Sequence, residues 1–137
     1  PGLPKDAGIL KQVIQRYAST KKILGVCLGM QAIGEVFGAN LQNLNKVLHG
    51  VATKITITQA NDLLYKGIPE KINVGRYHSW IISNSNLPNN LIVTATDENN
   101  QIMSIKHQDY NVYGVQYHPE SILTPLGKKI INNFLTI

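Results

Sequence analysis

Cysteine is almost absent: Cys27 is the single one among 137 residues. One cysteine excludes an internal disulfide, and no Cys/His spacing suggests a zinc site, so neither metal nor cofactor is expected. A reducing compartment, the cytoplasm, is the matching expectation. Charge is also sparse, at 15% of residues. The net charge is +5, but the lysines are scattered and no Lys/Arg block interleaves with aromatics. That pattern describes a solvated surface and argues against nucleic-acid binding. Long apolar runs are missing: no segment approaches membrane-spanning length and no signal peptide opens the chain, so no membrane association is expected. Repeats and low-complexity tracts are absent as well. So is an initiating methionine. The opening Pro1-Gly2-Leu3-Pro4 reads as the inside of a loop and points to a fragment or a processed form.

What is present fits one globular domain over residues 1–137, with 43% hydrophobic residues for a single core. Its organising stretch is Lys22-Ile23-Leu24-Gly25-Val26-Cys27-Leu28-Gly29-Met30-Gln31. An apolar run bounded by glycine reads as a buried parallel strand. Met30, Ala32, Ile33, Val36 and Phe37 then recur at helical spacing, and Gly38 supplies a left-handed stop. Cys27 sits at the corner between strand and helix. A lone cysteine is usually a small buried hydrophobe. Beside the positive end of a helix dipole, however, a thiol pKa falls and the reactive thiolate is favoured. Gly25 and Gly29 leave room for a sharp turn and for a substrate to approach, the mechanics of a nucleophile elbow.

Before this corner, Asp6 is expected to cap a helix whose apolar stripe is Ile9, Leu10, Val13, Ile14 and Tyr17. After it, 51–58 alternates like a half-exposed strand. A short helix, capped by Asn61 and closed by Gly67, is expected from Asn61 to Gly67. Extended runs follow at 71–77, 91–96, 101–107 and 112–117, an antiparallel meander joined by turn clusters. From Thr124 a last helix carries Leu126, Ile130, Ile131, Phe134 and Leu135 on its buried side, with Gly127 weakening its first turn.

The last extended run ends in Gln116-Tyr117-His118-Pro119-Glu120-Ser121. In an extended segment, residues two apart share a face, so His118 and Glu120 project together. Pro119 disfavours helix there. A carboxylate beside an imidazole fixes its tautomer and stabilises its charged form. If the sheet unites Cys27 with His118, the set is a Cys-His-Glu triad.

The pattern Gly25-x-Cys27-x-Gly29-x-Gln31 with His118-Pro119-Glu120 resembles the class I, or triad, glutamine amidotransferases. The continuation to Ser121-Ile122-Leu123-Thr124, with Arg76-Tyr77-His78-Ser79 and His49-Gly50, is similar to the glutaminase subunit (component II) of anthranilate synthase and of aminodeoxychorismate (para-aminobenzoate) synthase. The resemblance implies an α/β fold in three layers: an open, mostly parallel flavodoxin-like sheet with a small subsidiary antiparallel sheet. It implies hydrolysis of L-glutamine through a thioester on Cys27, with His118 moving the proton, Glu120 orienting it, and ammonia passing to the large subunit (component I) of a chorismate-using synthase. It makes the Leu28 N–H one oxyanion donor. It gives Gln31, Ser79, Trp80 and Gly2 to substrate binding.

Three departures from the pattern matter. The family has Pro-Gly-Pro-Gly ahead of the first helix, and its first glycine supplies the other oxyanion donor; Gly2 matches only the later glycine. A domain of this kind would carry roughly fifty more residues of N-terminal strands and helices before Pro1. An aliphatic residue often stands where this chain has Trp80, and a lysine where it has Val51. The competing reading is a catalytically silent, partner-binding subunit lacking a complete oxyanion hole. Another triad hydrolase is disfavoured by the Ser121–Thr124 continuation and by Arg76–Ser79.

Overall fold

The computed structural model describes residues 3–137. Three helices are α1 (Leu10–Tyr17), α2 (Leu28–Val36) and α3 (Gly127–Leu135). Eight strands are β1 (Ile23–Val26), β2 (Leu41–Asn43), β3 (Val51–Ile57), β4 (Lys71–Arg76), β5 (Trp80–Ile82), β6 (Leu91–Asp97), β7 (Ile102–His107) and β8 (Val112–Val115). Among these described residues no helix is long and apolar enough to cross a membrane.

The expected α/β class is observed. Six strands form one sheet in the order β1-β8-β7-β6-β3-β4, and β2 pairs with β5 in a small antiparallel sheet. Within the described residues the large sheet is mixed. β1 runs parallel to β8, and every other pairing in it is antiparallel. Most of the meander joins the large sheet, and only 80–82 of it contributes to the small one. Strand β7 hydrogen-bonds to β8 with Ser104 opposite Val115, so the meander extends the sheet that carries Cys27. The subsidiary sheet is built from 41–43 and 80–82.

The layers follow from side-chain alternation along the strands. On one face Ile102, Ile105 and Val112 pack with Met30 and Ile33 of α2 and Ile14 of α1. On the other, Met103, Tyr113 and Val115 pack with Ile130 of α3 and Leu64. Burying an aliphatic side chain such as Ile130 contributes about 1.5–3 kcal/mol, so α3 is fixed to its face mainly by such contacts. Leu135, expected on the buried side, is exposed.

Several local expectations shift by a few residues. Asp6 does not cap α1; it belongs to a 3₁₀ turn over Pro4–Asp6, begun by a proline whose fixed φ suits a first turn. Ile9 precedes α1 without a side-chain cap. The short helix at 61–67 is a 3₁₀ turn over Leu63–Tyr65, and its cap is Asp62 rather than Asn61, accepting from the Leu64 N–H at 3.0 Å. Only part of the α1 stripe is covered. Ile14 is buried, whereas Val13 and Tyr17 line a groove along β1.

Candidate active site

The corner at Cys27 is built by two adjacent parallel strands. β1 and β8 pair in register from Ile23↔Val112 to Val26↔Val115. The Cys27 N–H continues the ladder, donating to the Val115 carbonyl at 2.8 Å. Parallel neighbours end on the same side of the sheet, so Cys27 and the residues after Val115 emerge side by side at the carboxyl edge, where open α/β sheets form their crevices. Cys27 has φ 55° and ψ −105°. A non-glycine residue in such a conformation stores on the order of 1–3 kcal/mol of strain, a frequent mark of functional corners. Gly25 permits the corner. A Cβ there would lie 2.6 Å from both the Gly29 carbonyl carbon and Ile33 Cδ1, so only glycine lets α2 start against β1. Gly29 lines the groove beside α1 rather than the cavity that holds Cys27.

His118 is fixed through its backbone. Its N–H donates to the Gly75 carbonyl of β4 at 3.0 Å. Its carbonyl accepts the Thr124 hydroxyl at 2.7 Å, and the same hydroxyl accepts the Gly75 N–H at 2.9 Å. Behind it, Gly127 lies so close to Pro119 that an added Cβ would stand 1.7 Å from the Pro119 carbonyl oxygen. Gly127 therefore serves close packing rather than merely weakening a helix turn. The His118 Nδ1 meets Glu120 Oε1 at 2.5 Å, as the i, i+2 spacing predicts. The Tyr77 ring stands edge-on to the imidazole, with centroids 5.1 Å apart, and its hydroxyl bonds Ser121 Oγ at 2.9 Å.

Cys27, Leu28, Gln31, Ser79, Trp80, His118 and Glu120 all line one cavity of about 820 Å³. Gly2 lies outside the described residues. The Cys27 thiol is half-buried, and its hydrogen-bond partners are the Tyr77 carbonyl at 3.9 Å and the Gln116 side-chain amide nitrogen at 3.7 Å. Burial pushes its pKa above the ordinary thiol value, against the expectation that the helix start would lower it. The Leu28 N–H, at the first position of α2, pulls the other way; the Glu120 charge adds to the rise and the Gln116 amide opposes it.

The far wall is the segment Tyr77–Trp80, anchored from β4. Arg76 donates Nε to His78 Nε2 at 3.1 Å, Nη1 to Asp97 Oδ2 at 2.8 Å and Nη2 to Gln101 Oε1 at 3.0 Å. His78 Nδ1 lies 3.2 Å from the Trp80 carbonyl. Burial, aided by the Arg76 charge, lowers the His78 pKa to about 4. The Ser79 carbonyl accepts the Leu44 N–H at 2.8 Å. Gln31, though on the cavity wall, is buried. Its amide nitrogen donates to the Trp80 carbonyl at 2.8 Å and to Gln116 Oε1 at 3.3 Å.

Three contributors carry no role in the sequence reading: Gln116, Thr124 and the Arg76–His78 pair. A signal for Gln116 was available, because it is a polar residue in a run of otherwise buried apolar positions from Val112 to Tyr117.

A family model described as Glutamine amidotransferase class-I matches residues 1–137. The chain is 45% identical over 140 residues to an anthranilate synthase component 2 from Saccharolobus solfataricus, covering 98% of this chain and 71% of that protein. It is 41% identical over 135 residues to the aminodeoxychorismate synthase component 2 of Escherichia coli, covering 98% and 71% respectively. It spans only 23% and 18% of the length of two multifunctional relatives that it also matches. A crystal structure described as that of a GMP synthase subunit from Thermoplasma acidophilum superposes with a TM-score of 0.84 at 28% identity, covering 98% of this chain and 68% of that one.

Proposed function

The chain belongs to the class-I glutamine amidotransferases, and on that premise we propose that it is the glutamine-hydrolysing component of a chorismate-using synthase, with residues 1–137 forming one amidotransferase domain. The observation that carries the reading is the pairing of β1 with β8, which brings Cys27 and the His118–Glu120 pair to one cavity. In the proposed sequence the Cys27 thiolate adds to the carboxamide carbon of L-glutamine. The oxyanion that forms accepts the Leu28 N–H, a donor without an intrahelical partner at the start of α2. His118 gives a proton to the departing nitrogen, the C–N bond breaks, and ammonia leaves a γ-glutamyl thioester. Water then attacks the thioester carbon, His118 takes its proton, and glutamate leaves as the thiolate returns. Glu120 keeps the imidazole oriented and stabilises its charged form during both transfers. Gln31 and the Ser79–Trp80 segment form the wall against which the amino-acid end of glutamine rests.

The partner is the large subunit, component I, which consumes the ammonia with chorismate to give anthranilate or aminodeoxychorismate. The names of the relatives at 45% and 41% identity support this pairing. Co-purifying the natural full-length protein with this component I, then supplying chorismate and glutamine, tests it. One of the two aminated products is expected, and it is expected to vanish in Cys27→Ser when glutamine is the only nitrogen source but to persist with added ammonia. Equal glutamine-dependent product from the Cys27→Ser complex would overturn the proposal.

A further inference from the structure

We propose that Gln116 is a positioning residue for the sulfur of Cys27, the last member of a chain of hydrogen bonds of fixed polarity that begins at the Trp80 carbonyl. The inference rests on the reading of Cys27 as the nucleophile. Its logic is the polarity of amides. A carbonyl oxygen only accepts, so the end of Gln31 facing Trp80 at 2.8 Å must be its NH₂ group. The other hydrogen of that group meets Gln116 Oε1 at 3.3 Å. With its oxygen engaged there, Gln116 turns its own NH₂ group to Cys27 Sγ at 3.7 Å. Flipping Gln31 sets its oxygen against the Trp80 carbonyl, and flipping Gln116 sets its NH₂ group against that of Gln31. Gln31 is 2% exposed and Gln116 0%, so solvent cannot relieve the mismatch.

The sulfur therefore always meets a donor at this side. As a thiol it also donates toward the Tyr77 carbonyl at 3.9 Å. As a thiolate it loses that partner and keeps the N–H group of Gln116. The chain thus orients the sulfur and favours its reactive form, partly offsetting burial. It also ties the sulfur to the Trp80 segment, so a shift of the substrate wall is transmitted to the nucleophile. Besides Cys27, the titratable groups lining the same cavity are His49, Tyr77, His78, His118 and Glu120.

The test is the pH dependence of Cys27 alkylation by iodoacetamide in the full-length protein and in Gln116→Glu and Gln116→Met. Gln116→Glu reverses the polarity facing sulfur and is expected to slow alkylation at neutral pH at least about tenfold, with the midpoint moved up by one pH unit or more. Gln116→Met removes the donor and moves the midpoint in the same direction by less. Variants that melt like the wild type and alkylate with its profile would overturn the proposal. A second measurement needs no variant. The side-chain ¹⁵N–H signals of Gln116 in the wild type are expected to titrate together with Cys27 and to shift when it is alkylated; signals indifferent to both would overturn the proposal. Neither experiment reads glutamine turnover. An unchanged profile in an active glutaminase removes the relay alone, whereas the expected shift in a partner-bound enzyme that never hydrolyses glutamine removes the functional reading alone.

Discussion

Arg76 donates its Nε–H to Nε2 of His78, and this bond fixes the tautomer of a buried histidine behind the proposed substrate wall. A guanidinium can only donate, so Nε2 must accept and the imidazole proton sits on Nδ1, aimed at the Trp80 carbonyl. Protonating His78 would place a cation against Arg76.

The first prediction concerns pH. The native His78 pKa is near 4, below the unfolded value near 6.5. Between those values the unfolded chain binds more protons than the native one, so stability rises with pH across that window. The contribution is fully present above about pH 6.5 and lost as pH falls through about 4, with an upper bound on the order of 3 kcal/mol. Urea unfolding from pH 4 to 7 measures it. His78→Gln is expected to flatten the slope in this window.

The second prediction concerns two glycines. Gly127→Ala drives a Cβ into the Pro119 carbonyl, which is backbone and cannot step aside. The cost expected is about 3 kcal/mol or more, with His118 displaced. Gly25→Ala pushes the start of α2 off β1, moving the Leu28 N–H relative to Cys27. Thermal melts together with ammonia release read both. For Gly25→Ala the expected loss is larger in turnover than in melting temperature.

The third prediction concerns Thr124. Thr124→Val keeps the shape and removes the hydroxyl that joins the Gly75 N–H to the His118 carbonyl. Leaving a buried N–H without a partner costs about 1–3 kcal/mol. Urea unfolding should show that loss, and turnover should fall as His118 loses its backbone anchor. Thr124→Ser should recover most of both.

Local patterns made half of this site readable. The strand, corner and helix around Cys27 show as an apolar run followed by helical spacing, and the i, i+2 geometry of an extended chain pairs His118 with Glu120. Features that depend on distant partners were hidden. Whether the meander joins the main sheet depends on the β7–β8 register, in which Lys106 lies opposite Tyr113. The Arg76–Asp97 pair joins β4 to the end of β6, two strands that do not touch directly. The thiol pKa expectation failed because a helix terminus is a local feature whereas burial is set by the whole fold. Gly127 reads as a flaw in α3 from sequence alone, because nothing local reveals Pro119 packed against it.

The central claim is that Cys27 is the residue that attacks glutamine. The most direct measurement is treatment of the full-length, partner-bound protein with a diazoketone analogue of glutamine, followed by peptide mass mapping. The account predicts one adduct, on Cys27, formed in step with the loss of glutamine-dependent activity and prevented by excess glutamine. Complete inactivation with Cys27 unmodified would contradict it.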